Sequence, residues 1–261
     1  MAYQFLSIAN SIRFRKQDSN LQSFDNTLNQ DAVFPNVLNR GYCQILRKET
    51  ITIQARAEAS KTVSISVRNQ TLGSTANDSF SSVATYTDFD IYEYDLDLSA
   101  YADGTQLKIT CTVDGVVFVS EPVLVKDYTD DELTEAGLVE LKYSNYESDF
   151  GIDYSTGIIN KMYVSGYFKD YEPGGESSIY DNLREKVKLR DIVYRILVLK
   201  TFEIPNYLAE QIQIAIGHSS LFVNDVEYTA EDNPSVSQLG NSNMVTVEVR
   251  LTQKDHSNLY W

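Results

Sequence analysis

Apolar residues in this chain recur at every second position in short runs, with polar residues filling the gaps. Ile51, Ile53 and Ala55 alternate with Thr50, Thr52 and Gln54, and Val63, Ile65 and Val67 alternate with Thr62, Ser64 and Ser66. A period of two predicts half-buried β-strands. Further along, Tyr92, Tyr94, Leu96 and Leu98 share one face while Glu93, Asp95 and Asp97 share the other. Asp114-Gly115 stands between Leu107–Val113 and Val116–Val119, a strong two-residue hairpin signal. Pro122 suits an edge position leading into Val123–Val125. The polar stretch Gly73–Ser82 reads as a loop. Short strands at this spacing predict an immunoglobulin-like β-sandwich over residues 41–126.

The acidic run Asp127–Glu132 breaks the pattern and marks a linker over 127–137. Its carboxylates could cap a short helix or hold calcium, but the spacing and central glycine of an EF-hand are missing. A second β-rich (α+β) domain follows over 138–261. Strands are expected at 138–143, 161–168, 193–199 and 244–251, with a tight turn at Asn224-Asp225. One helix is predicted near 205–216, opened by Pro205, striped by Leu208, Ile212, Ala215 and Ile216, and closed by Gly217. Residues 1–40 lack periodicity and read as an extended N-terminal arm. Apolar anchors, among them Ile12, Phe14, Phe24 and Phe34, would lie on another surface. The predicted fold class is mainly β.

Charge narrows the function. With 22 Lys and Arg against 37 Asp and Glu, the formal charge is -15 and the pI about 4.5. Such a surface repels phosphate backbones, so no nucleic-acid partner is expected. No apolar run approaches the roughly 20 residues of a membrane helix, so no membrane insertion is expected either. The first residues lack the basic start and apolar core of a secretory signal, which points to use without Sec export.

Chemistry is scarce. His218 and His256 have no second ligand at metal spacing, and no cofactor is predicted. Cys43 and Cys111 fit two free core thiols better than a bridge between sheets, because the Trp and Tyr that accompany such a bridge are missing. Asp95 with Asp97, and Glu147 with Asp149, are the acid pairs a glycosidase would need, yet strand alternation already explains the first pair. No catalytic residue is assigned. Tyrosine is abundant, and Tyr146, Tyr154, Tyr167 and Tyr171 crowd the start of the second domain. Large, rigid rings with polar tips suit interfaces and sugar stacking.

Several segments carry a resemblance when taken in order. These are Ser11–Arg15, Arg40–Gln54, Phe118–Asp127, Ile204–Glu210 and Leu221–Tyr228. Together the chain resembles tail or baseplate structural proteins of tailed bacteriophages and prophages of the Bacteroidota type, and a contractile injection system component would look similar. The resemblance implies a non-enzymatic virion protein, assembled in the host cytoplasm. Its partners would be its own copies in a symmetric homo-oligomer and other virion proteins, with a host-surface glycan as a further candidate. The arm would lace onto a neighbouring subunit. The alternative reading is a carbohydrate- or protein-binding β-sandwich module on a cell surface.

Overall fold

A computed structural model describes residues 5–17, 44–182, 185–238 and 244–254, without the side chains of Phe5 and of residues 170–195. The fold is mainly β, as the alternating pattern predicts. Its first half uses β1 (Phe5–Leu6), β2 (Phe14–Lys16), β3 (Gln44–Arg47), β4 (Thr50–Glu58), β5 (Val63–Asn69) and β6 (Thr75–Ser79). The remaining strands are β7 (Ser81–Thr85), β8 (Phe89–Asp97), β9 (Gln106–Val113), β10 (Val116–Ser120) and β11 (Val123–Lys126). One sheet runs β1-β4-β8-β7. The other runs β2-β10-β9-β11-β3, with β5 on the opposite flank of β9 and β6 outside it.

The two sheets share one core. Ile51, Ile53, Ala55 and Leu96 from the first sheet meet Val63, Ile65, Leu107, Ile109 and Cys111 from the second. Each buried aliphatic side chain is worth about 1.5–3 kcal/mol, which is why strict alternation fixes the register. Asp114 and Gly115 both have positive φ, 46° and 79°, the backbone of the predicted two-residue turn.

Three expectations need correction. The stretch expected as a loop, Gly73–Ser82, contains β6 and the start of β7. Every β6 side chain is exposed, so the strand is held by backbone pairing and leaves no apolar period to read. Pro122 precedes an interior strand, since β11 lies between β9 and β3. The N-terminal segment is no free arm over its described part. Phe5 and Leu6 pair with β4, Phe14–Lys16 pair with β10, and Leu6, Ile12 and Phe14 sit in the sandwich core. Phe24 and Phe34 lie outside the described residues.

The acidic linker holds a short helix, α1 (Asp130–Glu135). Thr129 and Glu132 form a capping box, each side chain answering the other's backbone N–H, and the acids of the first turn suit the helix dipole.

The second half contains β12 (Leu138–Ser144), β13 (Asn160–Asn182), β14 (Glu185–Thr201), β15 (Ile204–Pro205) and α2 (Asn206–Ile216). It ends with β16 (Ser220–Val223), β17 (Val226–Ala230), β18 (Ser235–Gln238) and β19 (Met244–Gln253). Strands β12, β13, β14, β19, β17 and β16 pair in that order, each antiparallel to the next, and β16 returns to β12. These six strands therefore close into a barrel, in which each has a partner on both sides. Leu141, Tyr143, Leu199, Leu221, Val247 and Leu251 fill the interior. Helix α2 touches β12 and β19, which are not neighbours in the ring, and adds Ala209, Ile212 and Ala215 to the same core. It lies across one opening of the barrel. The turn at Asn224-Asp225 has positive φ at both residues, as the sequence predicts.

Candidate interaction surfaces

Residues Ser7–Arg13 run between the sandwich and the barrel and bond to both. Asn10 bonds the backbone of Gln54 in β4, and Gln211 of α2 donates to the Asn10 carbonyl. The Tyr143 hydroxyl donates to the Ala9 carbonyl at 3.0 Å, and the Lys161 N–H donates to Ser11 Oγ at 2.8 Å. The segment predicted to lace onto a neighbour instead laces the two halves of its own chain.

Beside this seam lies an aromatic cage around His218, which is 6% exposed. Its ring stacks on Phe150 and meets Tyr143 and Tyr154 at 4.8 and 5.3 Å between centroids. Nδ1 faces the Ile214 carbonyl at 2.7 Å. A carbonyl only accepts, so Nδ1 carries the proton and Nε2 accepts from the Tyr154 hydroxyl, 2.5 Å away. Burial lowers the His218 pKa and pushes that of Tyr154 up to about 12. The sequence placed His218 at a helix end or on the surface, and the first of these is where it stands. His256 lies outside the described residues.

Two further polar sites join the halves. Glu121 is 2% exposed, with Arg13 Nη1 3.5 Å away and a hydrogen bond to Tyr207 of α2. Burial outweighs both and pushes the Glu121 pKa up to about 7. Arg13 also lies 4.2 Å over the Tyr207 ring. Elsewhere the Tyr163 hydroxyl stands 2.8 Å from a carboxylate oxygen of both Glu49 and Glu140, whose charges Lys161 and Lys142 offset. A cleft near Glu140, lined also by Asp130, Leu133 and Asp225, encloses about 120 Å³. Ligand sites ordinarily need roughly 300–1,000 Å³.

The predicted contact residues separate into three groups. Ile12, Phe14 and Tyr154 are buried within the chain and present no surface, because the core takes their apolar area. Tyr146 is 84% exposed and Tyr167 is 42% exposed, the latter with its ring 5.4 Å from that of Phe202. Phe24, Phe34 and the side chain of Tyr171 fall outside the description. Tyrosine abundance could not separate these groups, since a ring of this size serves a core as well as an interface.

The largest candidate surface was not read from the sequence. Strands β13 and β14 are 23 and 17 residues long, but the barrel uses only their bases. β12 pairs with β13 over Asn160–Ser165, and β19 pairs with β14 over Ile196–Lys200. From Pro173↔Arg195 to Asn182↔Glu185 the two strands pair only with each other among the described residues. At about 3.3 Å per residue this two-stranded hairpin extends roughly 35 Å. Its sequence includes Ile179, Val187, Leu189, Ile192 and Val193. The signal was present on one side alone, where Val187 and Leu189 alternate with Lys186, Lys188 and Arg190, while Pro173-Gly174-Gly175 on the other reads as a turn.

Three of the four acids in these pairs have structural partners. Asp95 accepts from Thr52, Asp97 caps the turn Leu98–Ala100, and Asp149 accepts from Asn145 and from the Phe150 N–H. Cys111 is a buried free thiol whose pKa burial raises, while Cys43 lies outside the described residues. Among the described residues no cluster of His, Cys, Asp and Glu could hold a metal ion, and no helix is long and apolar enough to cross a membrane. No protein-family model and no curated protein matches this chain.

Proposed function

We propose that this chain is a non-enzymatic structural subunit of a phage tail or baseplate, or of a related injection apparatus, acting through contacts between copies in a symmetric oligomer. The observation that carries the reading is the β13–β14 hairpin beyond the barrel. A two-stranded ribbon has no core of its own and is marginal in water, so its natural complement is another surface. Both of its outer edges offer backbone groups for strand addition. A head-to-tail contact of this kind, repeated with rotation, closes a ring. The sequence resemblance supplies the virion setting, and the hairpin supplies a means of assembly.

The test compares the full chain with one whose residues 172–195 are replaced by a short Asn-Gly turn. Light scattering and negative-stain microscopy should show rings or tube-like particles for the full chain and folded protein without such particles for the shortened one. A full-length monomer that instead binds glycans would overturn the reading in favour of a surface-binding module.

A further inference from the structure

Among the described residues β6 pairs with β5 alone and leaves an edge of the sandwich open, and we infer that β6 pairs antiparallel with β6 of a second copy of this chain. The inference requires that copies of the chain meet, which it shares with the assembly reading. It concerns a different surface from the hairpin.

The backbone ladder identifies the open groups. The Asn69 N–H donates to the Ser74 carbonyl at 2.8 Å, and the Phe80 N–H donates to the Val63 carbonyl at 3.2 Å. Both bonds obey the β5–β6 register, in which Ile65 faces Asp78 and Val67 faces Ala76. Hydrogen-bonded pairs alternate in an antiparallel ladder. Ser74, Ala76, Asp78 and Phe80 therefore bond inward, and Thr75, Asn77 and Ser79 direct their N–H and C=O groups outward. The Ser79 N–H is taken by Asp78 Oδ1 at 2.8 Å. Thr75 and Asn77 remain as complete donor–acceptor pairs on an exposed strand.

Other described strand edges of the sandwich are protected. β1 is two residues long, β2 carries Arg15 and Lys16, β3 ends in Arg47-Lys48, and β7 has a bulge between Ser82 and Ala84. Short length, basic side chains and bulges are the usual means of blocking edge pairing. β6 has none of these.

Charge selects the occupant. A chain of formal charge -15 repels its copies over most of its surface, so a self-contact needs a neutral strip. Between Thr71 and Thr87 the only charged residue is Asp78, and Asp78 is engaged with Tyr94 and the Ser79 N–H. Leu72, in the turn that precedes β6, and Val83, in β7 that follows it, are exposed. A two-fold axis through β6 brings neutral strip onto neutral strip and joins two sandwiches into one continuous sheet.

Asn77→Pro tests this directly, because it removes an outward N–H that the β5–β6 ladder does not use. In sedimentation runs over a concentration series, the full chain should associate and Asn77→Pro should weaken that association at least about tenfold, with an unchanged unfolding midpoint. Should the variant fail to fold, amide exchange of the full chain decides. Thr75 and Asn77 should be protected where the chain associates and exchange freely on dilution. A chain that stays monomeric, an Asn77→Pro variant that associates normally, or unprotected Thr75 and Asn77 amides in the associated state would each overturn the inference. The hairpin-shortened chain separates the two ideas: it should still pair through β6 after losing its larger particles.

Discussion

Asn10 presents its side-chain amide to the backbone of Gln54 as a neighbouring strand would, accepting from the Gln54 N–H at 2.9 Å and donating to the Gln54 carbonyl at 3.0 Å. Both residues are buried, so neither backbone group can turn to water instead. Asn10→Ala should therefore lower stability by about 3 kcal/mol, read from guanidinium unfolding, since unpaired buried groups cost about 1–3 kcal/mol each. A loss under about 0.5 kcal/mol would mean that the seam is not held by this pair.

Ile12, fully buried in the sandwich core, distinguishes an internal strap from an assembly arm. Ile12→Ala should destabilise folding by about 2–5 kcal/mol, the range for large core truncations. Weakened self-association with unchanged folding stability would return this segment to the role the sequence suggested.

Gly166 marks the corner where β13 passes from pairing with β12 to pairing with β14. A Cβ there would stand 2.7 Å from the Lys200 carbonyl oxygen and 3.1 Å from Thr201 Cα, both backbone atoms. Gly166→Ala must force the two strands apart, and a loss of about 1–3 kcal/mol is expected from thermal unfolding. A neutral result would show that the corner yields freely.

Glu121 and His218 give opposite pH dependences. The folded pKa of Glu121 is raised from 4.5 to about 7, so the native state holds the proton more tightly than the unfolded chain. Its contribution is fully present below the unfolded value and is lost as pH rises towards 7. Glu121→Gln imitates the protonated form. Its stability relative to the natural chain should thus rise between pH 4.5 and 7, by on the order of 1–3 kcal/mol. Any constant cost of leaving Arg13 without its carboxylate cancels in that difference. A flat difference across the range would show that the carboxyl is not held neutral.

For His218 the folded pKa is lowered from 6.5, and the unfolded chain binds the proton more readily. Stability from this site is complete above 6.5 and falls as pH drops below it. In an NMR titration the imidazole should protonate at a lower pH than an exposed histidine. Protonation at or above 6.5 would mean that the cage admits the charge.

Periodicity alone placed most strands of both halves, both two-residue turns and helix α2, because each depends on local alternation or on a backbone that few residues adopt. Strand β6 escaped it: a strand with both faces wet has no apolar period. The acidic run was legible as a break, and its capping box needs only Thr129 and Glu132 at the right spacing. The site was less legible. Nothing local distinguishes Tyr154, buried beside His218, from exposed Tyr146, and nothing in residues 7–13 says whose surface they cover.

What the sequence determined by itself was the β class, the register of each alternating strand, the scarcity of reactive groups and the negative surface, since all are properties of residue type and spacing. The tertiary structure decided that the barrel closes, that Asn10 and Ile12 bind the chain's own halves, and that β13 and β14 run beyond their neighbours. Those depend on which distant strands meet. Pairing between strands is a non-local choice, made by the summed burial of whole faces and by which backbone groups are left without partners.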